Sequence, residues 1–182
     1  MSRLRALPLA LALVAAALAL PGAAPVGAQD LASVRAEAVA WAVTQNGHRE
    51  TGTSNCSSRI TRWQRDMGLR VPPCRPWCGA FVHQAFKRAG LRLSARLIDP
   101  DRSYEDAVAG RRGLRRIPIG SVRTGDLLFF AFRPGLKASH IALVRGAPRG
   151  GVVRTVEGNI SHTVRLKTRG LRYAVLAARV SG

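Results

Sequence analysis

The chain has 182 residues, 47% hydrophobic, 21% charged and 5% aromatic, which is enough for one ordinary core and too little for several domains. Twenty-nine lysines and arginines, 26 of them arginine, stand against ten acids for a formal charge of +19. That balance excludes basic polymers as natural partners and favours anionic ones: nucleic acid, a membrane surface or cell-wall polyanions.

Arg3 and Arg5 precede an apolar run from Ala6 to Leu20 and a Pro/Gly/Ala stretch that ends at Ala28, the three-part pattern of a secretory signal. At the helical rise the run is about 22 Å long, short of the roughly 30 Å hydrocarbon core, so a cleaved signal over residues 1–28 is expected in place of a permanent span. The mature chain, residues 29–182, keeps 27 bases and all ten acids, so the charge belongs to the exported protein. Export puts Cys56, Cys74 and Cys78 in an oxidising compartment, and three thiols leave one over after any pairing.

Asp30 is a suitable N-cap for a helix over 31–45, with Val34, Ala38, Trp41 and Ala42 on one face and Gly47 just beyond its end. A polar loop leads to a second helix over about 59–67, closed by Gly68. Pro72 and Pro73 break the chain before a third helix over 77–89, where Phe81, Ala85, Phe86 and Ala89 recur at helical spacing ahead of Gly90. Ser103 and Asp106 suggest a boxed helical turn, followed by an arginine-rich loop. After Gly125 the period becomes that of strands, at 126–132, 140–145, 152–157, 163–166 and 173–180. Helices first and antiparallel strands after predict a single α+β domain.

Cys78 falls at the start of the third helix, where unpaired N–H groups and the helix dipole favour a thiolate. The same residue reads equally well as a small buried hydrophobe or half of a disulfide. A symmetric hairpin between 140–145 and 152–157 pairs Arg145 with Val152, Val144 with Val153, Ala142 with Thr155 and His140 with Glu157. Residues opposed in that way point to one face, so the carboxylate would orient the imidazole and the imidazole's other nitrogen would face the sulfur. A nucleophile, a base and a group that orients the base is triad logic. Asn159, two residues on, adds an amide dipole near the imidazole or serves as a turn residue.

The succession PWCGAFVHQAFKRAGL, TGDLLFF, SHIALV and TVEGNIS, preceded by GTSNCSSRITRWQRDMGL, resembles the cysteine, histidine-dependent amidohydrolase/peptidase (CHAP) family over about residues 46–180. The resemblance implies a papain-like α+β fold, N-terminal helices packed on a C-terminal antiparallel sheet. It also implies hydrolysis of peptidoglycan amide bonds, either stem-peptide bonds or the N-acetylmuramoyl-L-alanine amide, with Cys78 as nucleophile, His140 as base, and Glu157 and Asn159 as its polar partners. Gly79 stands where many relatives carry alanine, a change that looks sterically mild, and no acidic cluster of calcium-binding type precedes Cys78, so neither metal nor cofactor is expected. Cys56 and Cys74 then become the expected disulfide, although a Cys74–Cys78 bridge that quenches the nucleophile is also open. Trp77 is expected to line the substrate groove or the core, and Asn55 is a candidate second oxyanion donor.

Three other readings compete. Cys74, Cys78, His83 and His140 form a possible zinc set, which His83 weakens by its place on the exposed side of the third helix. Arg111, Arg112, Arg115 and Arg116 suggest nucleic-acid binding, but the aromatics occupy core positions and the export signal points elsewhere, so no nucleic-acid partner is expected. A non-catalytic wall- or partner-binding module on the same fold is the third. The expected protein is a secreted, extracellular, wall-associated or periplasmic monomer whose partners are peptidoglycan and anionic wall polymers.

Overall fold

The computed structural model describes residues 30–181; the expected signal segment lies outside them. Three helices come first: α1 (Leu31–Thr44), α2 (Ser58–Asp66) and α3 (Cys78–Arg88). A 3₁₀ turn at Ala95–Ile98 leads into α4 (Pro100–Val108). Six strands follow: β1 (Leu114–Ile117), β2 (Leu127–Phe130), β3 (His140–Val144), β4 (Val152–Ile160), β5 (Thr163–Gly170) and β6 (Ala174–Val180). All neighbouring strands pair antiparallel, in the order β1-β6-β2-β3-β4-β5. The expected α+β arrangement, N-terminal helices packed on a C-terminal antiparallel sheet, is the one observed, with the helices on one face of the sheet. None of the described helices is long and apolar enough to cross a membrane.

Two stretches differ from expectation. The 100–108 segment is a full helix capped by Asp99, whose Oδ1 accepts the N–H groups of Asp101 and Arg102, with Pro100 in the first turn where its missing N–H costs nothing. Ser103 lies inside it, donating to the carbonyls of Arg96 and Asp99, and buried Asp106 takes Arg96 Nε at 2.7 Å. In the arginine-rich loop, Leu114 and Ile117 are buried on opposite faces of the sheet around exposed Arg115 and Arg116, and the segment pairs with β6 as the edge strand β1.

β2 and β3 are buried along their whole length and read as unbroken apolar runs, because both sheet faces are covered. Leu127, Phe129, Ile141, Leu143, Val156 and Leu176 pack with the inner faces of α1 and α3. Leu128, Phe130, Ala142, Val144 and Val153 pack on the other side with Ile117 and Val122. Trp41, Trp63, Trp77 and Phe81 form a ring cluster with centroids about 6 Å apart in edge and tilted pairs, locking α1, α2 and the entry to α3 together.

His83 is a correction. It lies on α3 with 1% exposure, in the core and not on the exposed side. Its Nδ1 has no hydrogen-bond partner. Burial, together with Arg92 and Lys87, pulls its pKa down to about 4. An unfolded histidine takes up a proton near 6.5 and the folded one does not until about 4, so stability falls as pH drops through that window. Urea midpoints compared at pH 7 and pH 4.5 are expected to fall less for His83→Leu than for the wild-type protein; equal losses would contradict the assignment.

Candidate active site

Cys78 is the first residue of α3, with Trp77 at the cap position. The first N–H of this helix with a backbone acceptor is that of Phe81, to Trp77 O at 2.9 Å, so the N–H groups of residues 78–80 lie at the open, positive end. The approach to Cys78 is held from two sides. Buried Gln64 receives Arg75 N on Oε1 and donates Nε2 to Arg75 O, both at 3.0 Å, which fixes the backbone three residues before the nucleophile. The Cys56–Cys74 disulfide ties the same segment to the 51–57 loop. The Cys74–Cys78 bridge is therefore not formed, and Cys78 is a free, buried thiol.

Two glycines let the backbone close around this point. A Cβ on Gly79 would lie 1.5 Å from Leu97 O, so the substitution is far from mild here: the 3₁₀ turn at 95–98 rests directly on α3. A Cβ on Gly158 would come within 2.6 Å of Phe81 Cβ and 2.9 Å of Trp77 Cζ3, so β4 reaches α3 only because that side chain is missing.

His140 opens β3 and Glu157 lies in β4. Their strands pair two residues away from the expected register, with Val144 opposite Thr155 and Leu143 opposite Val156. A two-residue slip conserves the face, so imidazole and carboxylate still meet, now along a diagonal: His140 Nε2 donates to Glu157 Oε2 at 2.9 Å. The imidazole is also coupled to the sulfur of Cys78 through a hydrogen bond and through charge. Glu157, with no solvent exposure, further accepts Thr155 Oγ1, and Arg169 through Nε at 2.9 Å and Nη2 at 2.6 Å. Thr155, Arg169 and Gln64 are site residues that sequence reasoning missed.

Burial alone would raise the Cys78 thiol, but the hydrogen bond and charge of His140, helped by the N–H groups of Ile141 and Gly79, leave it below its ordinary value. Burial would lower His140, but Cys78 and then Glu157 overcome it and push the imidazole up to about 9. Burial would raise Glu157, but the bonds from Arg169, His140 and Thr155 hold it down at about 2. Each group's shift favours its charged form beside the next: thiolate, imidazolium and carboxylate in line.

The remaining candidates sit elsewhere. Trp77 is fully buried, its Nε1 donating to Glu50 Oε2 at 3.3 Å, so it belongs to the core and not to a groove. Glu50 in turn binds His162 Nδ1. Asn159 lies in an irregular part of β4 at φ 63° and donates Nδ2 to Asn55 Oδ1 at 3.2 Å, so its amide is paired with Asn55 and the partner taken by imidazole Nε2 is Glu157. Cys74 is spent in the disulfide and His83 in the core, which takes apart the zinc set. Among the described residues no group of three or more His, Cys, Asp or Glu side chains is placed to hold a metal ion.

A cleft of about 380 Å³ is lined by Arg75 and Pro76, Ile98 to Asp101, and Arg133, Leu136, Ala138 and Ser139, of which Pro76 and Ser139 are near neighbours in sequence of Cys78 and His140. A larger hollow of about 530 Å³ between β1 and β6 offers only Arg116 as a charged group and has no chemistry of this kind.

The fold and the site define an α+β protein in which a helix-borne thiol faces a strand-borne imidazole and carboxylate. No protein-family model and no curated protein matches the chain. Among solved structures it is similar to a Staphylococcus aureus subsp. aureus Mu50 protein described as similar to lipoprotein, NLP/P60 family: 14% identity, TM-score 0.49, covering 82% of this chain and 42% of that one. It is also similar to Ly7917, at 13% identity and a TM-score of 0.42, covering 80% of this chain and 62% of that one. The chain thus spans less than two thirds of either neighbour's length.

Proposed function

We propose that the protein is a secreted cysteine hydrolase of bacterial peptidoglycan amide bonds, an endopeptidase or N-acetylmuramoyl-L-alanine amidase of CHAP type. The observation that carries the reading is the line of hydrogen bonds from the free thiol of Cys78 through His140 to Glu157. In this mechanism the Cys78 thiolate attacks the amide carbonyl carbon and the carbonyl oxygen becomes an oxyanion facing the N–H groups at the start of α3. His140 gives its proton to the departing amine as the C–N bond breaks, which leaves a thioester on Cys78. The neutral imidazole then takes a proton from water, whose oxygen displaces the sulfur and frees the acid. No cofactor enters these steps.

The partners in this reading are peptidoglycan and anionic wall polymers, met outside the cytoplasm by a monomer whose arginine surplus favours polyanions; nucleic acid has no place in it. Digestion of purified peptidoglycan in the presence of a mild thiol reductant, followed by mass spectrometry of the fragments, is expected to reveal new amine termini and so the bond that is cut. A digest identical to the untreated wall would end the hydrolase reading.

A further inference from the structure

Arg169 takes no part in the proton and acyl transfers just described, yet it grips the group that orients the base. Its fork holds both oxygens of Glu157, at 2.9 and 2.6 Å, and Oε2 is the same atom that receives His140 Nε2. Strand pairing does not require this contact. Across the β4–β5 ladder Glu157 is opposite Arg165, and Arg169 is opposite Val153, so the guanidinium reaches along the face past Thr155 while Arg165 remains exposed. Aromatic rings support the longer reach: the guanidinium carbon is 5.4 Å from the centroids of both Phe130 and Phe132, and those rings are stacked 10° from parallel. Phe132 in turn lies 5.7 Å from the imidazole.

We propose that Arg169 is a positioning residue that shares the charge of Glu157, and thereby keeps the proton affinity of His140 within the range where the imidazolium can still release its proton to a leaving amine. The inference rests on the acid–base role proposed above for His140, and not on which bond is cut. Four groups alternate in sign along the line: thiolate, imidazolium, carboxylate and guanidinium. Opposite charges in hydrogen-bond contact attract far more strongly in a buried site than in water. An unshared buried carboxylate would therefore make the imidazolium a weaker acid than the reaction can use. A guanidinium on the same two oxygens offsets part of that attraction, and its planar fork also turns Oε2 toward Nε2, which a lysine ammonium cannot do. The titratable and charged groups facing His140 are Cys78 from α3 and Glu157 from β4, with Arg169 of β5 acting through Glu157.

The test is the NMR titration of His140 in the wild-type protein, R169M, R169Q and R169K, with R169M and R169Q repeated in an E157Q background. Loss of the positive charge is expected to raise the His140 midpoint by about one unit or more, and to lower kcat with little change in KM on any substrate found. R169K is expected to restore the midpoint but not the full kcat. In the E157Q background the Arg169 substitutions are expected to leave the midpoint where it is. R169Q keeps a hydrogen-bond donor and stands in if R169M does not fold. A midpoint unmoved in the neutral variant that folds, or a shift that persists without the Glu157 charge, overturns the proposal. The titration needs no turnover, so a protein that cuts no wall but shows the coupled shift would fail the hydrolase reading alone.

Discussion

Cys78→Ser is expected to lower hydrolysis by at least about a thousandfold while leaving the fold and wall binding intact. Oxygen is smaller than sulfur and fits without a clash, and the N–H groups at the start of α3 can donate to either. What the substitution removes is a nucleophile whose ionisation is favoured by its surroundings: the thiol is held below its ordinary value by His140, whereas a serine hydroxyl is not ionised by an imidazole. The loss has a second component. Burial lowers His140 and the hydrogen bond to Cys78 is the foremost influence raising it, ahead of Glu157, so the serine variant is expected to show a His140 titration midpoint well below the wild-type value of about 9. Rates on purified peptidoglycan, wall pull-down and the NMR midpoint give three readouts. Undiminished hydrolysis by the serine variant would remove Cys78 from the chemistry, and an unmoved midpoint would remove the thiolate–imidazolium pair.

Gly79→Ala is expected to be the most destabilising single-methyl change in the site. The added carbon would stand 1.5 Å from Leu97 O, 2.4 Å from Leu97 C and 3.0 Å from Ile98 N, all backbone atoms that no rotamer change can move. Relief requires the 3₁₀ turn at 95–98 to back away from α3, and it would carry along Asp99, which caps α4, and Ile98 and Pro100, which wall the cleft. Overpacking in a close-packed interior costs roughly 1–3 kcal/mol, and a clash with fixed backbone belongs at the upper end. A fall of about 3 kcal/mol in urea-derived stability is therefore expected, with a higher KM in the molecules that remain folded. A midpoint equal to that of wild type would mean that α3 and the 95–98 turn are not in contact in solution.

The residues that meet at the candidate site were legible in the sequence because each sits on a strong local pattern: Cys78 opens an amphipathic helix, and His140 and Glu157 lie at even spacing on two adjacent strands. The hairpin register came out two residues off, yet the His140–Glu157 pairing survived, since side-chain direction repeats every second residue. An odd slip would have sent the carboxylate to the helix-covered face. Arg169 was not legible for the opposite reason. It is one of 26 arginines, and nothing local separates it from exposed Arg165; its distinction comes from Phe130 and Phe132, which lie more than thirty residues earlier. Trp77 stands open between groove and core in the sequence because its neighbour Cys78 is at the site, and in the fold the indole turns back toward Glu50. Gln64 had no visible signal, since a glutamine in a polar helix gains meaning only when a distant backbone segment is laid against it.

The disulfide between Cys56 and Cys74 reaches beyond the anchoring of a loop. In the exported enzyme proposed above the nucleophile would live among oxidants, and the thiol nearest to Cys78 in the sequence, four residues away, is Cys74. Because Cys74 is already bonded to Cys56, an oxidised Cys78 has no partner within the chain with which to condense. Loss of Cys56 alone would therefore do more damage than loss of both members of the bridge: it would release a competitor for the nucleophile at the nucleophile's own doorstep.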